Sequence, residues 1–135
     1  MIEDGVRIIG NVTLGPNVSI SAPAEVMAKD SSVLIGHGCD IAAFVTISTA
    51  DSHARCIGRS DVIERKPIVI EENVFIGTGA VILGGCQIGH HSVIGAGVVL
   101  KGMVIPPYSR VQSPRPIIEG GYYANETPRP ERRLF

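Results

Sequence analysis

Aliphatic residues recur along this chain with a period of six. Six successive hexads between residues 70 and 104 each open on one of them: Ile70, Ile76, Ile82, Ile88, Ile94 and Leu100. Four positions further on, every hexad carries a small or β-branched residue: Val74, Ala80, Cys86, Ser92, Val98 and Val104. A helix repeats every 3.6 residues and an ordinary strand every two, so neither produces this period. A sustained period of six predicts a parallel β-helix, in which each hexad forms one edge of a triangular coil and turns both repeated positions inward.

The same register runs through the first part of the chain, where hexads open on Ile2, Ile8, Leu14 and Ile20. It slips at residues 26–34, which we interpret as a small bulge near 29–32, and it resumes at Ile35. At the other end, Pro106 and Pro107 are expected to stop the coil, because proline cannot donate to a parallel ladder. The prediction is an all-β fold of about five coils over residues 1–107.

Residues 108–135 form a C-terminal extension rich in proline and arginine. It either packs back over the last coil, reaching a neighbouring subunit, or is partly disordered, and the sequence leaves both alternatives open.

The repeat has one long interruption, at residues 51–67. This stretch is polar and densely charged, and the hexads restart behind it at Ile70. It is therefore an excursion from one coil and not a linker between domains. Long loops in compact domains usually carry function, so the interruption is predicted to contribute to a site.

Composition narrows the choice of partners. A formal net charge of −1 gives no electrostatic reason to expect nucleic acid or an anionic membrane. No apolar run approaches the ~18 residues of a transmembrane helix. Cys39 and Cys86 fall on small inward positions, where cysteine acts as a small apolar side chain, while Cys56 lies in the interruption. Unpaired core cysteines predict a reduced, cytoplasmic location.

Three stretches carry a resemblance to a known family: IAAFVTISTADSH at 41–53, KPIVIEENVFIGTGAVILGG at 66–85, and QIGHHSVIGAGVVL followed by IPPYS at 87–109. They resemble the hexapeptide-repeat acyltransferases, in the branch with the galactoside, maltose and nodulation-factor acetyltransferases. The resemblance implies a left-handed parallel β-helix and a homotrimer with its sites between subunits. It also implies transfer from acetyl-CoA to a hydroxyl or amino group of a sugar, for instance in surface polysaccharide biosynthesis.

The family's catalytic base is a histidine in a loop before a Pro-Ile-x-Ile rung, and His53 occupies that place here. Imidazole titrates near pH 6.5, so it can take a proton from an acceptor at cytoplasmic pH. Asp51, two residues before His53, is a candidate to orient the other ring nitrogen and to stabilise the imidazolium, although a backbone carbonyl would serve as well. The backbone near Gly77 and Thr78 is expected to supply an oxyanion donor.

For the donor, the resemblance implies coenzyme A lying lengthwise between two subunits. Small residues would let it approach the coil, and Phe75 would flank the cleft. These small residues are Gly77, Thr78, Gly95, Ala96, Gly97 and the corner pair Gly84 and Gly85. Lys101 and Arg110 are the expected partners of its phosphates. No metal is expected. Relatives carry Gly-Asn-Pro-Ala after the Pro-Pro turn, whereas this chain has Val-Gln-Ser-Pro-Arg-Pro at 111–116, so contacts to the adenine end are expected to differ.

Two other functions compete with this prediction. A catalytically silent β-solenoid could serve as a scaffold subunit, with a dispensable His53 loop and no affinity for CoA. The γ-class carbonic anhydrases share the coil and bind zinc through histidines, two of them spaced H-x4-H. Here His90 and His91 are adjacent, and their side chains are expected to diverge as exposed corner residues, like His37.

Overall fold

The structure, a computed structural model, describes residues 1–125. This part of the chain forms fifteen strands and one short helix. In chain order they are β1 (Val6–Leu14), β2 (Ser19–Ile20), β3 (Ala24–Ile35), β4 (Asp40–Ile41), β5 (Thr46–Ser48), β6 (Ala50–Asp51), α1 (His53–Cys56), β7 (Glu64–Arg65), β8 (Ile68–Ile70), β9 (Phe75–Ile76), β10 (Val81–Leu83), β11 (Gln87–Ile88), β12 (Val93–Ile94), β13 (Val99–Lys101), β14 (Val104–Ile105) and β15 (Arg110–Val111).

The strands stack as a parallel β-helix of about five coils, as the period predicts. Each coil contributes one segment to each of three faces. The first face contains the first halves of β1 and β3 with β5, β10 and β13. The second contains the second halves of β1 and β3 with β8, β11 and β14. The third contains β2, β4, β9, β12 and β15. The first corner joins the first and second faces, the second corner joins the second and third, and the third corner leads back to the first face.

The inward positions of the hexads form the core. In the first face, Ile47, Ile82 and Leu100 lie in register on three adjacent rungs, and all three are buried. The small inward positions are equally closed: Cys39 and Cys86 are buried free thiols, as predicted, whereas Cys56 is exposed. Because the aliphatic side chains of successive coils stack directly on one another, the core is a continuous column along the axis.

The second corner shows how the chain turns from face to face. Asn17, Gly38, Asn73, His91 and Tyr108 occupy it on successive coils, each with a positive φ between 52° and 70°. Glycine and asparagine adopt this left-handed conformation at low cost, which explains their frequency between hexads. Amide groups here donate to the neighbouring rung, as from Asn73 N to His37 O at 2.8 Å.

The register slip predicted in the first part of the chain is confirmed. Gly10 pairs with Ala28 and Val12 pairs with Val33, so residues 29–32 face a single residue, Asn11. The extra residues form a bulge at the first corner.

The ladder continues beyond the expected end at Pro107, since β15 pairs in parallel with β12. Both prolines lie in the second corner and not in a strand, so the ladder loses no donor there. Residues 112–125 run over the surface and leave Ile117 90% exposed. Residues 126–135 of the predicted extension lie outside the described residues. Within residues 1–125, no helix has the length and apolar character needed to cross a membrane.

Candidate active site

The interruption of the repeat leaves the coil at the first corner, after β5, and returns to it at β8. Its two ends, β6 and β7, pair antiparallel, and α1 lies between them. Arg65 anchors the returning end, because its guanidinium donates to Lys29 O at 3.0 Å in the bulge of the preceding coil. The excursion is thus fixed against the body of the coil at the point where its polar side chains project.

Asp51 and His53 form a hydrogen-bonded pair at the start of this excursion. The Nδ1 atom of His53 lies 2.5 Å from Asp51 Oδ1, and the backbone N–H of His53 donates to the same oxygen at 3.0 Å. A carboxylate can only accept, so Nδ1 carries a proton, and in the neutral imidazole Nε2 keeps its lone pair. The His53 side chain is 66% exposed, which leaves that lone pair open to an incoming group.

Lys101 holds the other oxygen of the same carboxylate. Its Nζ atom lies 2.5 Å from Asp51 Oδ2, and the Asp51 side chain is only 22% exposed. The Lys101 ammonium and the two hydrogen bonds from His53 keep the pKa of Asp51 well below its usual range. In return, the Asp51 carboxylate raises the pKa of Lys101. Asp51 is therefore an anion held between two donors.

These three side chains line an open cleft of about 810 Å³ at the first corner. Glu64 and Lys66 line it as well and form their own ion pair at 3.0 Å. Gly84 lies at this corner on the intervening coil, where a Cβ atom would come within 2.8 Å of Thr49 O. Glycine at this position lets the start of the excursion lie directly against the coil, which a larger residue would prevent.

The remaining predicted site residues lie elsewhere in the protomer. Phe75 and Arg110 flank Val93 on the third face, with Phe75 41% exposed. Of the small residues predicted to face CoA, those at 77–78 and 95–97 meet at the third corner, whereas Gly84 and Gly85 lie at the first. The structure therefore brings Asp51, His53 and Lys101 together at the first corner, and it places most of the other predicted site residues on the third face or at the third corner.

One expected oxyanion donor is already engaged. The backbone N–H of Gly77 donates to Ile94 O at 2.7 Å, as part of the stacking of β9 on β12. The Gly77 amide therefore closes a rung of the ladder, and the predicted donor near Gly77 and Thr78 would have to be a neighbouring N–H of the same corner. Thr78 is the next residue in the same corner and is exposed.

The two adjacent histidines do not diverge as expected. The Nδ1 atoms of His90 and His91 lie 3.0 Å apart, and Tyr108 stacks on the ring of His91. The positive φ of His91 turns its side chain back toward its neighbour, which a strand conformation would not do. Residues 1–125 contain no group of three or more histidine, cysteine, aspartate or glutamate side chains placed to hold a metal ion.

Sequence reasoning missed the contact between Lys101 and Asp51, as well as the pair formed by Glu64 and Lys66. The register contains a usable signal for the first. Ser48, Leu83 and Lys101 lie directly above one another on the first face, so counting hexads places Lys101 over the start of the excursion. The conformation of the excursion cannot be predicted by counting hexads, because the excursion lies outside the repeat.

Comparison with known proteins agrees with this architecture. Residues 67–102 match the family described as bacterial transferase hexapeptide (six repeats). A putative acetyltransferase of Schizosaccharomyces pombe is 32% identical over 112 residues, covering 81% of this chain and 40% of the relative. A galactoside O-acetyltransferase of Lactococcus lactis is 35% identical over 72 residues, covering 53% of this chain and 35% of the relative.

A solved hexapeptide-repeat acetyltransferase of Vibrio cholerae, complexed with acetyl-CoA, superposes with a TM-score of 0.66 at 28% identity. The match covers 74% of this chain and 54% of that structure. This chain thus spans about two fifths of the two curated relatives. The solved neighbours are left-handed β-helices, and the coil described above winds the same way. The six-residue period, the stacked coil and these matches together show that residues 67–102 carry the hexapeptide repeat of this transferase family and that the chain resembles hexapeptide-repeat acetyltransferases.

Proposed function

We propose that this chain is an acetyl-CoA-dependent acetyltransferase whose acceptor is a hydroxyl or amino group of a sugar. The observation that carries the proposal is the His53–Asp51 pair, held at the mouth of an open cleft in the one long break of the repeat. The solved relative bound to acetyl-CoA supports the donor, and the relative named for galactoside supports the class of acceptor.

The reaction is a direct transfer in a ternary complex. The acceptor oxygen, or a neutral amine nitrogen, attacks the thioester carbonyl while Nε2 of His53 takes its proton. The tetrahedral intermediate then collapses and expels the CoA thiolate, which accepts the proton from the imidazolium to give the free thiol. Asp51 accepts the Nδ1–H hydrogen bond throughout, so it fixes the tautomer and stabilises the imidazolium. No covalent acyl-enzyme forms.

A homotrimer would complete the site. Within one protomer, His53 lies at the first corner, whereas Thr78, Gly95 and Ala96 lie at the third. A single triangular coil cannot bring two corners together. A cyclic trimer can place the first corner of one copy beside the third corner of the next, which yields three equivalent sites. In this arrangement CoA would lie in the groove between copies, with Phe75 and Arg110 along its length.

We further propose that the enzyme works in the cytoplasm on a precursor of a surface polysaccharide. The three cysteines are free thiols, two of them buried in the core, which fits a reducing compartment. Acetyl-CoA as donor fits the same location. The polysaccharide role depends on the family resemblance alone.

The test combines binding with turnover. Acetyl-CoA at about one hundred times its Kd should stabilise the protein by ~2.7 kcal/mol, read as an upward shift in Tm. With maltose, a β-galactoside and glucosamine as trial acceptors, release of the CoA thiol reports transfer. His53→Ala should lower kcat by about 10²- to 10⁴-fold while leaving the affinity for acetyl-CoA nearly intact, because it removes only the base.

His37→Ala is the matched control, since it removes an exposed histidine from another corner and should leave kcat unchanged. No Tm shift at millimolar acetyl-CoA would reject the enzyme and favour the scaffold subunit. Near-normal turnover by His53→Ala would leave the enzyme in place but reject His53 as its base.

A further inference from the structure

The Asp51 carboxylate is held by donors from two separate parts of the fold. Oδ1 accepts both hydrogen bonds from His53, which follows it by two residues in the excursion. Oδ2 accepts from Lys101, which lies fifty positions away at the end of β13. One carboxylate thus connects the exposed excursion with a strand of the coil.

The two donors differ in how firmly the fold holds them. His53 is the first residue of α1, a helix of four residues with no side-chain cap and no buried residue. Lys101 belongs to β13, where the preceding Leu100 is buried in the core column and the backbone pairs with β10. The coil therefore fixes the backbone of Lys101, whereas nothing buried inside α1 fixes His53.

Lys101 reaches Asp51 across the intervening coil. Leu83 of β10 lies in register between Ser48, at the foot of the excursion, and Lys101. The residues that follow Leu83 are Gly84 and Gly85, which present no side chain to the first corner. An extended lysine can therefore lie over that coil and meet a carboxylate that projects from the coil beyond it.

We propose that Lys101 is a positioning residue that clamps Asp51 and thereby orients His53 for catalysis. The inference rests on the proposed function and deepens it. Lys101 does not touch the acyl group, because its ammonium is engaged by the Asp51 carboxylate. This role differs from the phosphate contact that the sequence suggested for Lys101, and the two make opposite kinetic predictions.

The other charged groups of the cleft pair with each other and leave Lys101 as the cation that holds Asp51. They are Glu64 and Lys66, whose ion pair at 3.0 Å satisfies them mutually. Among the described residues of the cleft, Lys101 is thus the cation bonded to Asp51. Its removal would leave Oδ2 to water, and the carboxylate would then be held only through Oδ1 by His53.

A nuclear magnetic resonance experiment on the full chain tests the clamp without any need for activity. In Lys101→Met, the Asp51 carboxyl carbon should titrate nearer its ordinary pKa of about 3.9, whereas in the unaltered protein it should stay ionised to lower pH. The ¹⁵N signals of His53 should show a loss of the Nδ1–H tautomer. Lys101→Arg, which keeps a cationic donor, should restore both signals.

Lys66→Met is the matched control, because it removes a positive charge from the same cleft that does not contact Asp51. It should leave the Asp51 titration and the His53 tautomer unchanged. If Lys101→Met leaves both signals as they are, or Lys66→Met changes them equally, the clamp is wrong.

Kinetics separate the clamp from a phosphate contact. The clamp predicts that Lys101→Met lowers kcat by about tenfold, a part of the 10²- to 10⁴-fold contribution of the base, with KM for acetyl-CoA unchanged. A contact with the 3′-phosphate predicts instead that Lys101→Met raises KM with kcat unchanged, and that the substitution has no effect when the donor is 3′-dephospho-acetyl-CoA. This pair of results would overturn the clamp. If the unaltered protein shows no transfer, the proposed function fails, while the magnetic resonance measurement still decides the clamp.

Discussion

The stacked core column of the first face makes a quantitative prediction about stability. Ile82 is fully buried, with Ile47 on the rung of the preceding coil and Leu100 on that of the next. Ile82→Ala removes three carbon atoms from this column. At ~0.8 kcal/mol for each buried methylene, the transfer term alone is about 2.4 kcal/mol. The neighbours are fixed by their own rungs and can collapse only partly, so the cavity raises the expected loss to about 3–4 kcal/mol.

Thermal unfolding followed by circular dichroism measures this loss. Across 135 residues, at ~2.1 cal/mol/K per residue, a loss of about 3.5 kcal/mol lowers Tm by roughly 12 °C. All variants must be compared at one protein concentration, because association would also stabilise the fold. Denaturant unfolding in urea gives an independent value from the midpoint and slope.

Ile57→Ala is the matched control, since it makes the same chemical change at a side chain that is 62% exposed in the excursion. Scaling the transfer term by its buried fraction gives a loss of about 1 kcal/mol. If Ile82→Ala costs no more than Ile57→Ala, the assignment of the hexad's first position to the core is wrong. A much larger loss, with no folded protein recovered, would instead mean that adjacent coils unfold together.

Two further predictions concern titration and thiol reactivity. Because the pKa of Asp51 is lower in the folded protein than its unfolded value of about 3.9, the Asp51 carboxylate stabilises the fold above that pH, and this stability is lost as pH falls through the folded pKa. Asp51→Asn should therefore make Tm fall less steeply below pH 4. An unchanged acid slope would contradict the ion pair. The raised pKa of Lys101 acts in the opposite range, with stability lost only at strongly alkaline pH. A thiol reagent should label Cys56 in the native protein and all three cysteines in urea, because Cys39 and Cys86 are buried and burial raises the pKa of Cys39; rapid native labelling of either would contradict the core.

The site illustrates why a solenoid places its chemistry where its repeat breaks. In each hexad the inward side chains form the core and the backbone amides hydrogen-bond to the neighbouring rung, as the N–H of Gly77 does. Polar side chains that converge on a site must therefore come from a break in the repeat or from an outward position of a strand. The excursion supplies two of them, Asp51 and His53, and the coil supplies the third, Lys101. Glycine at the intervening corner leaves room for them to meet.

Most of the fold could be predicted from the sequence because its signals are local. The hexad period fixes which side chains point inward, and burial follows for Ile76 and Ile82 as for the small positions at Cys39 and Cys86. The bulge at 29–32 appeared as a slip in that period. The sequence predicts an end of the coil at Pro107 that comes too early, because proline interrupts a ladder only within a strand, whereas Pro106 and Pro107 stand in a corner.

The sequence by itself therefore determined the coil, the break in its repeat and the pairing of Asp51 with His53, since two residues of separation suffice for that contact. Only the tertiary structure decided that Lys101 bonds to Asp51, that the Gly77 N–H hydrogen-bonds within the ladder, and that His90 and His91 turn toward each other. The physical reason is range. Inward and outward alternation is set by neighbouring residues, whereas contacts across rungs depend on how coils stack, where each corner turns and how an irregular excursion lies against them.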